Sequence, residues 1–330
     1  MEVPNDSDDD DGPLIRARNL ERALGIKRIY LDFEGRNPTG THKDRIAEAH
    51  AKRAAEEGYS AITVGTCGNY GVAVAYYAKV YGLKAYIFVP AGYTLERAGE
   101  MLAYGAEVIP IGGPYEKVVL ESRKFAVENG IYDANPGSNP EIDYEGYSTI
   151  AGDILRDVRP DAVFVPVGNG TTLAGIWHGF RKRGENPKMV GVTTGLGNQI
   201  LWQFYGVETN EFVETPVNEP LVSMISFDAI EALRAVNESN GYVFGFADDD
   251  TVNYSALLEK TEGISALPAS ALTLAGLVKF ARKFGMWRGN FVLVITGGVH
   301  GGEGLGAYGG ALSYVRWENR ARACALLEKV

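Results

Sequence analysis

Gly35-Arg36-Asn37-Pro38-Thr39-Gly40-Thr41-His42-Lys43-Asp44-Arg45 lies between a strand-like run, Arg28–Glu34, and an alanine-rich helical pattern, Ile46–Glu57. Asn-Pro and Thr-Gly are turn signals, so Lys43 falls where a loop becomes a helix. A helix start carries partial positive charge, which suits anions and disfavours a second cation such as a protonated amine. Lys43 is thus a candidate for a lysine that binds an aldehyde covalently. A lone lysine after a turn is more often a solvated helix cap, and the rest of the chain has to decide.

Downstream, apolar runs and amphipathic stretches alternate. Strands are predicted over Ser60–Gly65, Lys84–Val89 and Glu107–Ile111, with helices over Tyr70–Tyr81, Leu95–Tyr104 and Tyr115–Asn129. A second series places strands at Ala162–Val167, Val190–Thr193, Tyr242–Phe246 and Phe291–Thr296, again with helices between them. This rhythm predicts βαβ units and parallel sheets. Asn135–Glu145, rich in Pro, Gly, Asn and Asp, reads as the crossing between the two series, and Leu196–Asp228 has no clear periodicity. The fold class expected is α/β, as two open parallel-sheet domains with a cleft between them. Ligands in such folds sit beyond the C-terminal ends of the strands. That rule selects four loops: Thr66–Gly71, Gly168–Thr172, Thr193–Asn198 and Thr296–Gly302.

Composition bounds the function classes. The 330 residues carry a formal net charge of −10 and are 45% hydrophobic. Such a balance argues against nucleic acid or an anionic membrane as partner. Two cysteines, Cys67 and Cys324, make neither a disulfide framework nor a zinc site, and point to a reducing, cytoplasmic compartment. No apolar run is long enough for a membrane span. Met1–Gly12, with Asp8–Asp11 an acidic run, is expected to be a disordered tail.

Gly168-Asn169-Gly170-Thr171-Thr172 precedes the helical Leu173–Arg183. Backbone N–H groups of a glycine-rich turn at a helix start cradle phosphate, although this loop has neither the P-loop lysine nor the dinucleotide glycine spacing. Thr66-Cys67-Gly68-Asn69-Tyr70-Gly71 has the same placement and offers N–H groups to a carboxylate, with Asn69 able to bond a phenol-like oxygen. Cys67 at a helix start would be acidified, but among four histidines no partner suggests a thiol nucleophile. Thr296-Gly297-Gly298 ends the last strong strand.

Taken in order, these pieces resemble the fold type II pyridoxal-phosphate (PLP) enzymes, the tryptophan synthase β-subunit group, and within it threonine synthase. Asn37–Arg45 is similar to the group's Asn-Pro-Thr-Gly-Ser-Phe-Lys-Asp-Arg signature, whose lysine forms the Schiff base. Thr66–Asn69, Gly168–Thr172 and Thr296-Gly297 match further motifs, as does Glu262-Gly263-Ile264 followed by Pro268-Ala269-Ser270-Ala271. The resemblance implies that Lys43 is catalytic and holds the cofactor pyridoxal 5′-phosphate. Gly168, Asn169, Gly170, Thr171 and Thr172 would take its phosphate, Asn69 its ring hydroxyl, and Thr296 would face its ring nitrogen. Thr66, Cys67, Asn69 and Tyr70 would bracket the substrate carboxylate. No metal is implied, and a homodimer is.

It also implies a large cofactor-binding domain over 13–58 and 146–330 and a small mobile domain over 59–145. The expected reaction is conversion of O-phospho-L-homoserine and water to L-threonine and phosphate. One stretch departs from the pattern. Threonine synthases carry Asn-Pro-Tyr-Arg then Glu-Gly-Gln-Lys-Thr, whereas here Asn139-Pro140-Glu141-Ile142-Asp143-Tyr144 precedes Glu145-Gly146-Tyr147-Ser148-Thr149. Both cations are missing, and two acidic groups are expected to face a dianionic substrate unfavourably. Arg16, Arg36, Arg45 and Arg97 are the cations that could compensate. A β-replacement or β-elimination enzyme acting on a serine-type amino acid, and a non-catalytic PLP-binding protein, remain open beside the first reading.

Overall fold

A computed structural model describes residues 14–66, 68–91 and 97–298. The acidic tail, Cys67, Cys324 and positions 299–302 of the last loop lie outside the described residues.

The chain begins with β1 (Leu14–Arg16), α1 (Arg18–Leu24), β2 (Lys27–Phe33) and α2 (Lys43–Glu56). It continues through β3 (Ala61–Gly65), α3 (Asn69–Val80), β4 (Lys84–Pro90), α4 (Ala98–Ala103), β5 (Glu107–Ile111), α5 (Tyr115–Asn129) and β6 (Tyr132–Asp133). Next come α6 (Pro140–Asp157), β7 (Ala162–Pro166), α7 (Thr171–Lys182), β8 (Lys188–Thr194), α8 (Gln199–Tyr205) and α9 (Ala229–Glu238). The described chain closes with β9 (Tyr242–Phe246), α10 (Asp248–Glu262), α11 (Pro268–Phe284) and β10 (Arg288–Ile295).

Two sheets result, ordered β5-β4-β3-β6 and β1-β2-β10-β7-β8-β9. The first is parallel throughout, as the alternating pattern predicts. In the second, β1 pairs antiparallel with β2 while the remaining pairs are parallel. The strands are near-continuous apolar runs because helices cover both faces. Helix α11 is buried nearly all round, with Leu272, Leu274, Leu277 and Phe280 in one core with Phe164, Val190 and Phe291 of the large sheet.

One expectation needs correction, and one unassigned stretch is filled in. Asn135–Glu145 is not a plain crossing, since Pro140 opens the 18-residue helix α6. Proline at a first helical position has no N–H to lose and a preset φ, so a turn-like composition there marks a helix start. The Leu196–Asp228 stretch contains α8 and a 3-10 turn, Glu219–Leu221, and is held elsewhere by backbone bonds, such as Val213 N–H to the Leu196 carbonyl, and by side chains. Asn198, fully buried, accepts from the N–H groups of Ile200 and Leu201 and donates to the carbonyls of Val167, Gly168 and Leu221.

Strand order sets the position of the site. β10 lies between β2 and β7, so the segments after these three strands emerge side by side at their C-terminal ends. These segments carry Lys43, Thr296 and Gly168–Thr172.

Candidate active site

The loop before α2 is tied to the end of β10. The His42 N–H donates to the Thr296 carbonyl at 2.8 Å, and His42 Nδ1 lies 3.0 Å from the same oxygen. The Gly298 N–H reaches the Gly40 carbonyl, and the Leu267 N–H the Gly297 carbonyl. Three stretches, 40–43, 266–270 and 296–298, are thus pinned together. Within the first, Asp44 accepts from the Thr39 N–H and, at 2.6 Å, from its hydroxyl, which fixes the turn before the helix. Burial, with the neighbouring Lys43 second, holds His42 well below the ordinary imidazole range, so its ring is neutral.

The Lys43 amine donates to the Tyr147 hydroxyl at 3.0 Å. Tyr147 is fully buried, its ring stacks on His42 with centroids 5.5 Å apart, and its hydroxyl also shares a hydrogen bond with Thr172. Burial raises the phenol above its usual range, so it stays protonated.

The loop Gly168–Thr172 ends in α7, whose first turn receives no side-chain cap. Its glycines are required. A Cβ at Gly168 would meet the Pro220 carbonyl oxygen at 2.7 Å, and one at Gly170, where φ is +94°, would meet Ala232 at 2.7 Å. Asn169 accepts from Ser223 at 2.8 Å, and the Thr171 hydroxyl donates to Asp228. Asp228 also accepts from Tyr144 at 2.5 Å.

On the other side of the cleft, Asn69 begins α3 after Gly68, whose φ is +149°. The Asn69 side-chain oxygen accepts from Arg97. Thr66 is buried with its N–H on the Phe88 carbonyl. The Tyr70 phenol is spent on the Ala134 carbonyl at 2.9 Å and is buried, so it is not available to a ligand. At the end of β10 the Thr296 hydroxyl lies 2.6 Å from that of Ser270.

The departing stretch behaves differently from expectation. Asp143 does not face the cleft as a free acid. His50 Nε2 lies 3.0 Å from its carboxylate in a buried pair between α2 and α6, and Glu141 is exposed. Of the four cations, Arg16 pairs with Glu21 at 3.0 Å, and Arg45 with Glu34 at 2.7 Å and Asp153 at 2.8 Å. Arg36 ends a short 3-10 turn, Glu34–Arg36. Arg97 spans the cleft, with Nη1 on Asn69, Nη2 3.2 Å from the Thr39 carbonyl, and Glu100 bracing it at 3.1 Å.

Residues 10–297 match the family model described as pyridoxal-phosphate dependent enzyme. The chain belongs to this family. It is 33% identical over 303 residues to the threonine synthase of Methanocaldococcus jannaschii, covering 88% of this chain and 74% of that one. A Bacillus threonine synthase is 30% identical over 293 residues, covering 87% and 81%. Among solved structures, the threonine deaminase of T.th. superposes with a TM-score of 0.73 at 24% identity, covering 88% of this chain and 93% of that one. The protein is therefore a PLP-dependent lyase of the fold type II group.

The residues present fit that cofactor. A phosphate dianion needs unspent N–H groups at a helix start, and the 12-residue α7 opens with an uncapped turn behind two glycines that admit no side chain. A pyridine ring needs a partner for its nitrogen, and the Ser270–Thr296 pair offers neutral hydroxyls. Ser270, Tyr147 and Asp228 were not among the residues singled out as site candidates. Ser270 had a signal in Pro268-Ala269-Ser270-Ala271, and Tyr147 in the departing stretch. Asp228 had none, lying at the end of the aperiodic segment. No helix among the described residues is long and apolar enough to cross a membrane, and none of their His, Cys, Asp and Glu side chains form a group of three or more suited to a metal.

Proposed function

We propose that the protein is a threonine synthase, converting O-phospho-L-homoserine and water to L-threonine and phosphate. The observation that carries this reading is Arg97. Its guanidinium supplies, between Asn69 and Thr39, a cation that the Asn139–Thr149 stretch lacks. A guanidinium in that position suits a phosphate by paired charge-assisted hydrogen bonds. The curated relatives at about one-third identity support the same reaction.

In this reading Lys43 would hold the cofactor, and its amine would move protons at the substrate's Cα, Cβ and Cγ. Bound pyridoxal phosphate supplies the electron sink that makes the Cα proton removable. Gly168–Thr172 would hold the cofactor phosphate by backbone N–H groups, with the Thr171 and Thr172 hydroxyls beside them. Asn69 would serve the ring hydroxyl and Thr296 would offer the ring nitrogen a neutral hydroxyl, which would restrain transamination. The N–H groups at the start of α3, at Asn69 and Tyr70, would take the substrate carboxylate, with Thr66 and Cys67 leading into that turn. The C–O bond at Cγ breaks to release phosphate, and the hydroxyl of water ends on Cβ.

The test is phosphate release by the purified, PLP-loaded protein. Threonine and phosphate should appear in equal amounts from phosphohomoserine. If serine-type amino acids instead yield keto acid and phosphohomoserine yields nothing, the enzyme is a β-eliminating relative, a reading that the missing cations of Asn139–Thr149 favour.

A further inference from the structure

Helix α6 sits between the two helices whose first turns carry the chemistry. Gly146 meets α2 backbone to backbone, since a Cβ there would lie 2.6 Å from the Arg45 carbonyl oxygen. On the opposite side, a Cβ at Gly175 of α7 would lie 2.6 Å from Cβ of Tyr147. The pairs Lys43–Tyr147 and His50–Asp143 run in opposite sequence order, so α2 and α6 are antiparallel. These close approaches direct Tyr147 into the space between the N-terminus of α2, with Lys43, and the N-terminus of α7, with Thr172.

We propose that Tyr147 is a positioning residue for the catalytic lysine. Its hydroxyl receives the Lys43 amine whenever that amine is not bonded to the cofactor, and holds it between the phosphate loop and the reacting carbons. The hydroxyl oxygen accepts an N–H from Lys43 at 3.0 Å while Thr172 occupies its other side. The ring cannot swing, being fully buried and stacked on His42. Where the resembling motif reads Glu-Gly-Gln-Lys-Thr, this chain has Tyr at the Gln position, so the rigid phenol belongs to this chain's own departure.

A phenol is a stiffer holder than an amide on a flexible stem, and it can both accept from an ammonium and donate onward. Four ionisable groups act on it. Lys43 and His42 come from α2 and the loop before it, Asp143 from α6 itself, and Tyr70 from α3. His42 is held neutral by burial, and Asp143 is engaged by His50. The Lys43 amine is the group the phenol touches directly, by the 3.0 Å hydrogen bond.

The proposal rests on Lys43 being the cofactor lysine, and its test separates the two claims. Apoprotein is mixed with PLP across a pH series, and the visible absorbance of lysine-bound cofactor is followed for wild type, Lys43→Ala, Tyr147→Phe and Tyr147→Gln, with kcat and KM measured beside it. Lys43→Ala should abolish the band. Tyr147→Phe, which keeps the ring, should retain it. Its kcat should fall about tenfold to hundredfold, the usual size of a lost proton-transfer partner, with KM changed less than about threefold. The rate of cofactor uptake should fall with kcat, and Tyr147→Gln, which restores an acceptor, should lie between wild type and Tyr147→Phe in both. A merely structural role would not be rescued by Tyr147→Gln, which supplies an acceptor but no ring. An unchanged kcat, or a Tyr147→Gln protein no better than Tyr147→Phe, overturns the role of Tyr147 alone. A band that survives Lys43→Ala overturns the site and the proposal with it. If Tyr147→Phe is unfolded by circular dichroism, Tyr147→Gln decides, with kcat and uptake rate lowered at nearly constant KM supporting the role and an unchanged kcat overturning it.

Discussion

The Ser270 hydroxyl lies 2.6 Å from the Thr296 hydroxyl, joining the first turn of α11 to the end of β10. Both residues are buried, so the pair is a fixed, uncharged patch at the end of β10. A neutral hydroxyl leaves a pyridine nitrogen unprotonated more readily than a carboxylate does. In the proposed site that would weaken the electron sink and favour elimination and replacement over amine transfer.

Thr296→Asp should reverse that preference. A carboxylate facing the ring nitrogen would stabilise its protonated form. The expected outcome is a loss of main turnover of about tenfold, equivalent to roughly 1.4 kcal/mol of barrier, with slow conversion of bound cofactor to its amine form. Chromatography of cofactor released after incubation with amino-acid substrate checks it. Unchanged partition between product and amine-form cofactor counts against the placement of Thr296.

Arg97 makes a second, independent prediction. Its guanidinium touches Asn69 and the Thr39 carbonyl and is braced by Glu100. Replacing it with alanine removes charge-assisted hydrogen bonds worth about 1.5–3 kcal/mol each, so KM for phosphohomoserine should rise roughly ten- to hundredfold. Cofactor uptake and the binding of an unphosphorylated analogue should change little. Arg97→Lys should recover only part of the loss, because a point charge lacks the planar fork. Equal weakening toward phosphorylated and unphosphorylated ligands would mean that Arg97 merely braces the cleft.

The elements that were legible in the sequence share one property: their pattern is local. β3, β4, β5, β7 and β9 are apolar runs bounded by turns, and the observed limits differ from the predicted ones by a residue or so. The helix starts at Lys43 and after Gly168–Gly170 were legible because turn residues and a helix start lie next to each other in sequence. β1 was not, since three residues ending in arginine carry no period, and its antiparallel pairing with β2 is a tertiary choice. α6 was hidden by the Pro, Asn and Asp residues that open it. The contact between Lys43 and Tyr147 spans 104 positions, and that between Thr171 and Asp228 spans 57. The first depends on how α2 and α6 pack and the second on how α7 and α9 pack, which no window of sequence contains.

Asp32 gives a prediction about stability. It sits in β2 at 3% exposure, and its Oδ2 has no hydrogen-bond partner. The nearby Arg45 is already engaged by Glu34 and Asp153. Burial first, then the charge of Glu34, raises the Asp32 carboxyl well above the usual carboxylate range. Between the ordinary value and this raised one, the native state binds more protons than the unfolded chain, so stability falls as pH rises through that window. Asp32→Asn carries no such charge and removes the loss. Urea unfolding should find the variant more stable than wild type at pH 8, by about 1–3 kcal/mol, the cost of an unsatisfied buried polar group. The advantage should shrink toward zero near pH 4, where the wild-type carboxyl is protonated in the folded chain and the unfolded one has begun to take up its proton. A difference between the two proteins that stays constant from pH 4 to pH 8, or favours wild type at pH 8, would show that the Asp32 charge is compensated in the folded chain.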